Sequence, residues 1–343
     1  MVAAMSETSA QTDVAIIGAG PVGLFAVFEC GMLGMACHVL DVLDARGGQC
    51  AALYPEKPIY DIPGHPQIAA AELIDRLVEQ AAPFEPVYHL GHGVEEVRRL
   101  PDGRFRIATR HVAIEAGAVI VAAGVGAFGP NRPPLAGIER YERTCVFYLV
   151  TRREEFRGKR IVIAGGGDAA VDWALSLAEV ADRVMVVHRR DKFRAAPDSA
   201  MRLQRLAADG QIDLVIPYQL HGLEGDGDRL SAVIVADLGG GTRRLPADVL
   251  LPFFGLSQNL GPIAEWGLAL ERHQLAVEPA TAMTSERGIF AIGDIASYPG
   301  KLKLILSGFA EAALAAHAIH PLLHPGEALH FEYSTTKGVP GRT

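Results

Sequence analysis

The sequence has few cysteines, four in 343 residues, and no two of them form a C-x-x-C pair. Without such a pair or a Cys/His cluster, a disulfide framework and a structural zinc site are excluded, and we expect buried, inert thiols at Cys30, Cys37, Cys50 and Cys145. The sequence also lacks an apolar run of about 18 residues, so we expect no transmembrane helix. The opening residues, MVAAMSETSAQT, lack the charged and apolar regions of a signal peptide, which predicts a cytoplasmic location.

Positive charge is in deficit, because 32 Lys and Arg residues face 40 Asp and Glu residues, for a formal net charge of −8. This balance disfavours a nucleic-acid binder, since phosphate contact requires a basic face. Basic residues still cluster at positions 152–153, 157–160 and 189–194, so an acidic protein partner stays open. With 49% hydrophobic residues and 37 glycines, the composition is typical of an α/β protein long enough for two domains.

What is present is a glycine turn near the start of the chain. The stretch DVAIIGAGPVGLFAVFECG runs from an apolar strand through Gly18-x-Gly20-x-x-Gly23 into an apolar helix. The first glycine permits a tight turn, the second lets a pyrophosphate approach the backbone, and the third lets the helix pack on the strand. The next strand ends at Asp41, eighteen positions after Gly23, where a carboxylate can hydrogen-bond ribose hydroxyls. The pattern predicts a dinucleotide site.

A second glycine turn occurs in RIVIAGGGDAAVDWAL. The strand that follows it ends at His188, again eighteen positions after the third turn position, and no acid stands there. Three arginines come next, and their guanidinium groups match the oxygens of a ribose 2′-phosphate, which a carboxylate would repel. The alternative is a solvated basic helix start. The candidate NADP(H) contacts are Gly165, Gly167, Asp168, Ala170, His188, Arg189, Arg190 and Arg194.

The segments between and after the two turns indicate how the chain is divided. AGAVIVAAGVGAFGPNRPP and ADVLLPFFGLSQNLGP each run from an apolar strand into a polar or Gly/Pro-rich turn, and GIFAIGDIASYPG then returns to a strand. We predict an α/β fold with two Rossmann-like domains, the NADP-binding domain being inserted into the FAD-binding domain. The expected boundaries are residues 1–126 and 258–343 for the FAD domain and 127–257 for the NADP domain.

These motifs resemble, over nearly the whole chain, the two-dinucleotide-binding-domain flavoproteins related to thioredoxin reductase. The matching stretches are GAGPVG, GGQ, GGGDAAVDWAL, HRRDKFRA and AIGDI. The stretch ARGGQCAALYPEKPIYDIPGHP, the missing C-x-x-C and the tail FEYSTTKGVPGRT are similar to the thioredoxin-reductase-like ferredoxin–NADP reductases. The resemblance implies bound FAD and NADP(H), a ferredoxin or flavodoxin as redox partner, and a homodimer.

The same resemblance implies roles for individual residues. Asp41 would contact the adenosine ribose of FAD, Gln49 and Tyr54 would lie along the flavin, and Val94 would contact the adenine. Phe128 would lie at the hinge and Asp294 at the ribityl-pyrophosphate region. A C-terminal extension from the partner subunit would cover the flavin through Tyr333, with Ser334 and Thr335 near its polar edge. From the residues alone, Tyr54 could equally be a packed loop residue and Tyr333 part of a frayed terminus.

No catalytic side chain is expected, because flavin and nicotinamide carry the chemistry and the protein supplies position and electrostatics. Electrons would leave from the flavin in one-electron steps to an iron–sulfur protein. Another NADPH-dependent flavin reductase, serving quinones, oxygen or a disulfide carrier, stays open, as does a flavin-binding scaffold without turnover. Ferredoxins are generally acidic, so the docking surface should be basic, and its candidate residues are Arg152, Arg153, Arg157, Lys301 and Lys303.

Overall fold

The computed structural model describes residues 10–142, 144–150, 152–327, 338 and 339, and the side chains of residues 127–130 and 256–258 lie outside this description. The helices are α1 (Pro21–Met32), α2 (Gly48–Ala52), α3 (Ala70–Ala81), α4 (Asp168–Leu177), α5 (Pro197–Ala208) and α6 (Ile305–Leu323). Short 3-10 helices cover Ala82–Phe84, Ile138–Arg140, Arg153–Phe156, Gly261–Glu265 and Gly293–Ile295.

The strands are β1 (Ala10–Ile17), β2 (Cys37–Asp41), β3 (Pro58–Ile59), β4 (Ile68–Ala69), β5 (Val87–Leu90), β6 (Val94–Arg99), β7 (Phe105–Thr109), β8 (Ala113–Val121), β9 (Ala127–Pro130), β10 (Arg160–Ala164), β11 (Arg183–Val187), β12 (Ile212–Val215), β13 (Gln219–Asp226), β14 (Arg229–Ala236), β15 (Thr242–Pro246), β16 (Val249–Pro252), β17 (Leu256–Asn259), β18 (Leu270–Glu271), β19 (Gln274–Ala276), β20 (Ile289–Ala291) and β21 (Ala296–Ser297). The chain forms two compact units, of which the second, Gly129–Ser257, is inserted between the two segments of the first.

The first unit is built on a sheet in which β5, β2, β1, β8 and β20 run parallel, and the antiparallel pair β7 and β6 extends β8. Side chains of the central strand β1 alternate between two cores, as the period of two in a strand requires. Val14 and Ile16 pack with α1 and α6 on one face. Ala15 and Ile17 pack on the other face with residues of β7, β19 and β20. Both faces are therefore covered, which explains the continuous apolar run of β1.

The second unit has a smaller sheet, β12-β11-β10-β16, in which all strands are parallel. Ile161 and Ile163 of β10 pack against α4 and α5 on one face. Val162 points to the opposite face, where it meets Val233 and Val235 of the antiparallel sheet β13-β14-β15. Each buried aliphatic side chain of this kind contributes about 1.5–3 kcal/mol of transfer free energy to folding.

The predicted fold class is confirmed, because each unit carries a parallel sheet with a strand–glycine turn–helix unit at its centre. In open parallel sheets, ligands bind outside the carboxyl ends of the strands. That edge carries the first glycine turn after β1 and Asp41 at the end of β2. Across the described residues, we find no helix with the length and apolarity needed to cross a bilayer.

Candidate functional site

The three glycines of the first turn differ in whether a side chain would fit: there is space at Gly20 and none at Gly18 or Gly23. Gly18 has φ of +115°, a conformation that favours glycine, and a Cβ there would lie 2.3 Å from the carbonyl oxygen of Ala122. A Cβ on Gly23 would lie 1.9 Å from the carbonyl oxygen of Gly18, because α1 packs directly on the turn. Gly20 has no protein atom within 4 Å of a Cβ position, so its missing side chain leaves open space.

The start of α1 is arranged to face a negative charge. Gly20 is its N-cap, Pro21 occupies the first turn, and no side chain among the described residues caps the free backbone N–H groups. Such an uncapped helix N-terminus favours an anion through its N–H groups and the helix dipole. The turn and helix start together are suited to hold a pyrophosphate.

A cavity of about 650 Å³ opens beside this turn, within the range of volumes usual for cofactor sites. It is bounded by the turn after β1, the end of β2, α2, the connection between β5 and β6, residues 293–294 and the start of α6. The structure thus brings most of the predicted FAD residues together. Those that line the cavity are Gly18, Gly20, Asp41, Gln49, Tyr54, Val94 and Asp294.

Asp41 holds the turn with the same carboxylate that was predicted to contact a ribose. It is 8% exposed, and its two oxygens accept hydrogen bonds from the backbone N–H of Ala19 at 2.6 Å and of Leu43 at 2.9 Å. Burial raises the pKa of Asp41, although these backbone hydrogen bonds oppose the shift. A carboxylate has about four acceptor positions, so the Asp41 oxygens retain capacity to accept from ligand hydroxyls.

Gln49 and Tyr54 reach the cavity from α2 and the turn after it. A Cβ on Gly124 would lie 3.4 Å from Gln49 Nε2, so the Gln49 amide lies beside the backbone that follows β8. Cys50, between them, lies 3.9 Å by its Sγ from the Tyr54 hydroxyl. Burial raises the pKa of Cys50 to about 11 and the pKa of Tyr54 above its usual range. The Cys50 thiol is therefore protonated at neutral pH and is unsuited to thiolate chemistry.

Asp294 lies in a turn that several buried contacts hold in place. Its backbone carbonyl accepts a hydrogen bond from Gln274 Nε2 at 2.5 Å. The N–H of the preceding Gly293 donates to Glu311 Oε2 of α6 at 2.7 Å. The Asp294 carboxylate is thus carried by a backbone tied to both β19 and α6.

Four further predictions concern side chains that the structure leaves undescribed. Phe128 falls in β9, but its side chain lies outside the described residues. Tyr333, Ser334 and Thr335 also lie outside the described residues. Their suggested contacts with the flavin stay predictions.

The second glycine turn has the same layout, except that alanine stands at its third position. A Cβ on Gly165 would lie 2.7 Å from the carbonyl oxygen of Phe253 and 2.9 Å from the Cβ of Ala170. Ala170 is fully buried and takes the place of a third glycine without a clash. Gly167, the N-cap of α4, has open space where a Cβ would be. This turn can also bring its backbone close to a phosphate.

The predicted contact Asp168 already has a structural role. Its Oδ1 accepts a hydrogen bond from the N–H of Ala196 at 2.9 Å, directly before α5. The N–H of Arg194 donates to the carbonyl oxygen of Gly166 at 2.7 Å, so the loop that carries the arginines is fastened to the glycine turn at two points. The arginines are thereby held beside the turn.

His188 occupies the place of the missing acid. A Cβ on Gly166 would lie 2.2 Å from the imidazole ring, and Phe193 stacks on this ring at 5.1 Å between centroids. Its Nε2 is buried without a hydrogen-bond partner among the described residues. Burial lowers the pKa of His188, and the charges of the neighbouring arginines lower it further. A hydrogen bond with the Lys192 backbone acts in the opposite direction and raises it. The imidazole ring is therefore neutral near pH 7, and it packs directly against the backbone of Gly166.

The three predicted phosphate-binding arginines are exposed and have no acidic partner among the described residues. None of the ion pairs among the described residues includes Arg189, Arg190 or Arg194. Several arginines elsewhere in this unit are paired, for example Arg183 with Asp213 at 2.5 Å, but others, such as Arg202 and Arg243, are in none of the ion pairs among the described residues. Uncompensated guanidinium groups fastened beside a glycine turn fit a ligand that carries an additional phosphate.

Several cavity residues were missed by sequence reasoning. His92 and His111 line its far end, with ring centroids 5.1 Å apart, and His92 Nδ1 is buried without a partner among the described residues. Lys303 lines the cavity from the segment before α6. The histidines come from separate connections, so no local motif in the sequence points to them.

One of the predicted basic docking residues needs correction, and two others have acidic partners. Lys301 is wrong as a surface residue, because its side chain is 6% exposed and its Nζ pairs with buried Glu311. Arg153 pairs with Glu179 at 2.8 Å, and Arg157 pairs with Glu154 at 2.6 Å. These two arginines have acidic partners, whereas exposed Arg152 is in none of the ion pairs among the described residues.

The residues present fit two dinucleotides, one in each unit. Each unit has an open glycine position at a helix start without a side-chain cap. The first lies beside a large cavity, and the second lies beside arginines that are in none of the ion pairs among the described residues. The described residues contain no cluster that could hold a metal ion, and all four cysteines, which lie among them, are free thiols. Fold and site together define a flavin-dependent pyridine nucleotide oxidoreductase, and no two of its four cysteines form a C-x-x-C pair.

Comparison with known proteins agrees with this class. The family model described as "Pyridine nucleotide-disulphide oxidoreductase" matches residues 12–318, and the chain belongs to this family. Its cofactors are FAD and NADP(H). The ferredoxin--NADP reductase of Paramagnetospirillum magneticum is 66% identical over 331 residues, which cover 96% of this chain and 98% of that protein. The ferredoxin--NADP reductase of Rhodospirillum rubrum is 64% identical over 338 residues, with 97% and 98% covered.

A solved structure supports the fold. The thioredoxin reductase of Lactococcus lactis superposes with a TM-score of 0.78 at 24% identity, covering 91% of this chain and 99% of that chain. At this identity the likeness concerns the fold alone. The sequence-based assignment to the thioredoxin-reductase-like flavoproteins is confirmed.

Proposed function

We propose that this chain transfers electrons between NADP(H) and a ferredoxin, with FAD as the intermediate carrier. The observation that carries the proposal is the 66% and 64% identity, over nearly the full length of both chains, to proteins named ferredoxin--NADP reductase. The free cysteines support it, because a protein without a C-x-x-C pair has no thiol route for electrons. When bound, the two cofactors supply the hydride and one-electron chemistry.

The first unit is proposed to bind and orient FAD. The uncapped start of α1 faces the pyrophosphate, and the remaining acceptor capacity of the Asp41 carboxylate takes ribose hydroxyls. Val94 contacts the adenine, Asp294 the ribityl chain, and Gln49 and Tyr54 lie along the flavin. In domain terms, residues 1–126 and 258–343 form the FAD domain, and residues 127–257 form the NADP domain.

The second unit is proposed to bind NADP(H) through the turn at Gly165 and Gly167. Arg189, Arg190 and Arg194 hold the 2′-phosphate, because their loop is hydrogen-bonded to this turn through Arg194 and they have no acidic partner among the described residues. Neutral His188 keeps the glycine backbone in place and, unlike a carboxylate, does not repel the phosphate.

The assembly and location are proposed on the family resemblance. The enzyme acts as a cytoplasmic homodimer in which Tyr333, Ser334 and Thr335 of one subunit cover the flavin of the other. Sedimentation equilibrium of the purified protein tests the dimer, and a monomeric mass at micromolar concentration would contradict it.

The electron-transfer proposal is tested by mixing the purified protein with NADPH under anaerobic conditions, and then with an oxidised two-iron ferredoxin. We expect the flavin absorbance to bleach with NADPH and to recover as the ferredoxin cluster is reduced. If the flavin bleached and stayed reduced until a quinone or oxygen was added, the oxidoreductase class would stand and the ferredoxin assignment would be wrong.

A further inference from the structure

Glu311 of α6 lies at the centre of a buried polar network. It is 3% exposed, and it accepts hydrogen bonds from the N–H of Gly293 at Oε2, 2.7 Å, and from the Tyr298 hydroxyl at Oε1, 2.7 Å. Lys301 Nζ forms an ion pair with the same Oε1. Its side chain is 6% exposed, and its ammonium also lies 5.5 Å from the centre of the Tyr298 ring. One carboxylate thus accepts three donors from a single stretch of chain.

The network joins two segments that line the cofactor cavity. Gly293 and Asp294 line it directly, and so do residues 303–305, which begin two positions after Lys301. Between the two segments, the N–H of Lys301 donates to the carbonyl oxygen of Tyr298 at 3.1 Å and closes a turn. The carboxylate therefore fixes the residues on both sides of this turn.

The anchor itself is held firmly. A Cβ on Gly308 of α6 would lie 2.4 Å from Val22 Cγ2 of α1, so the two helices touch at the glycine turn. Glu311 lies one helical turn further along the same helix. The position of Glu311 is therefore set by the packing of α6 on α1, the helix that begins at the first glycine turn.

We propose that Glu311, Lys301 and Tyr298 form a positioning network that sets the Gly293–Asp294 turn and residues 303–305 against bound FAD. The proposal rests on the assignment of FAD to this cavity under the proposed function. The three side chains do not themselves line the cavity, so they act through the backbone they hold. A buried ion pair is expensive to desolvate, and it is retained here because a carboxylate is the group that accepts on both oxygens at once.

The substitution Glu311→Gln tests this property directly. An amide has one oxygen and one NH2 group, so it accepts from Gly293 or from the Tyr298 and Lys301 pair, but not from both. We expect the dissociation constant for FAD to rise about 10- to 100-fold, the loss of a charge-assisted hydrogen bond. Reconstitution of the apoprotein with FAD, followed by flavin fluorescence, measures this constant. The visible circular dichroism of the bound flavin should change as well, because its surroundings are displaced.

Two further variants separate positioning from folding. Tyr298→Phe removes one hydroxyl and keeps the ion pair, and it should weaken FAD binding about 3- to 10-fold. Glu286→Gln, which breaks the exposed pair with Arg99 in the same unit, is the matched control and should change the constant less than about twofold. If Glu311→Gln does not fold, Tyr298→Phe decides the question.

The inference is overturned if Tyr298→Phe and every folded variant of Glu311 bind FAD as tightly as wild type, with the same flavin dichroism. A lower unfolding temperature of the apoprotein with unchanged flavin affinity and spectrum would likewise assign the network to folding alone. If the wild-type apoprotein took up no FAD, the proposed function would fail first and this inference with it. If the wild-type protein reduced ferredoxin with NADPH and the variants bound FAD as wild type does, this inference alone would be wrong and the proposed function would stand.

Discussion

The two glycine turns of this chain share a spacing and differ in how they are supported. In the first turn, α1 packs so closely that a Cβ on Gly23 would lie 1.9 Å from the Gly18 carbonyl oxygen. In the second, Ala170 fills the same position and is buried without a clash. The first turn is tied to its neighbouring strand by the carboxylate of Asp41, whereas the second rests on the neutral ring of His188.

The difference teaches that charge, more than backbone shape, distinguishes the two sites. Asp41 gives two of its acceptor positions to its own backbone, so the first turn is stabilised from within the protein and keeps a negative group for hydroxyl donors. The second turn has no acid at the position that corresponds to Asp41, and the exposed arginines beside it have no partner among the described ion pairs. Under the proposed function, it is completed by a ligand of higher negative charge, the 2′-phosphate of NADP(H).

The largest expected effect comes from the open glycine positions. Gly20→Ala and Gly167→Ala each place a methyl group where no protein atom lies within 4 Å, in an extended backbone that alanine adopts readily. We expect Gly20→Ala to weaken FAD binding about 100-fold or more, because the pyrophosphate loses its close approach to the backbone. Gly167→Ala should do the same to NADPH, and both apoproteins should unfold at the wild-type temperature. Fluorescence titration with each cofactor measures the two losses.

The two glycine variants also serve as controls for each other. Each should leave the cofactor of the other unit bound with wild-type affinity. The loss of both cofactors in one variant, or a lower unfolding temperature in either apoprotein, would contradict the interpretation that Gly20 and Gly167 only make room for a phosphate.

The arginine loop gives the next largest effect. In the double variant Arg189→Ala/Arg190→Ala, we expect kcat/KM for NADPH to fall about 100-fold, since two charge-assisted hydrogen bonds to phosphate are lost. The value for NADH, which lacks the 2′-phosphate, should change less than about threefold. Steady-state kinetics with an artificial electron acceptor measure both. Arg183→Ala, at the opposite end of β11 in an exposed pair with Asp213, is the control. If kcat/KM fell equally for NADPH and NADH, the assignment of these arginines to the 2′-phosphate would be wrong.

Asp41 gives an effect on stability. In Asp41→Asn, one of the two backbone donors, from Ala19 or Leu43, faces an NH2 group and loses its acceptor. We expect the apoprotein to lose about 1–3 kcal/mol of unfolding free energy, the cost of an unsatisfied buried donor. Urea unfolding measures it, and Asp44→Asn on the exposed loop that follows provides the control. An unchanged midpoint would mean that the turn does not depend on this carboxylate.

Sequence reasoning located what depends on neighbouring residues. A glycine turn and the strand after it are local, so spacing alone identified Gly18, Gly20 and Asp41, and the structure places all three at the cavity. The Lys301–Glu311 pair depends on how α6 packs over the preceding turn, which no local pattern reports, and Lys301 was therefore wrongly assigned to the surface. The row formed by His38, His89 and His92, of which His92 lines the cavity, was missed for the same reason, because His38 and His89 come from different strands.

That row gives the smallest expected effect. His38 of β2 and His89 of β5 lie 3.1 Å apart by their ring nitrogens, and His92 continues the row to the cavity. Burial lowers the pKa of His38, and burial followed by the charges of His38 and His92 lowers the pKa of His89. Because these pKa values lie below the usual value of about 6.5, the unfolded chain binds more protons just below that pH.

The stabilisation from neutral histidines is therefore complete above about pH 6.5 and is lost as the pH falls through the lowered pKa values. We expect His38→Gln to reduce the loss of unfolding free energy between pH 7.5 and 5.5 by a few tenths of a kcal/mol, since the rings are half-exposed and solvent screens their charges. Urea unfolding across this range measures the slope, with exposed His65→Gln as the control. If wild type and His38→Gln lost stability equally on acidification, the row would be a packing feature whose protonation does not differ between folded and unfolded chains.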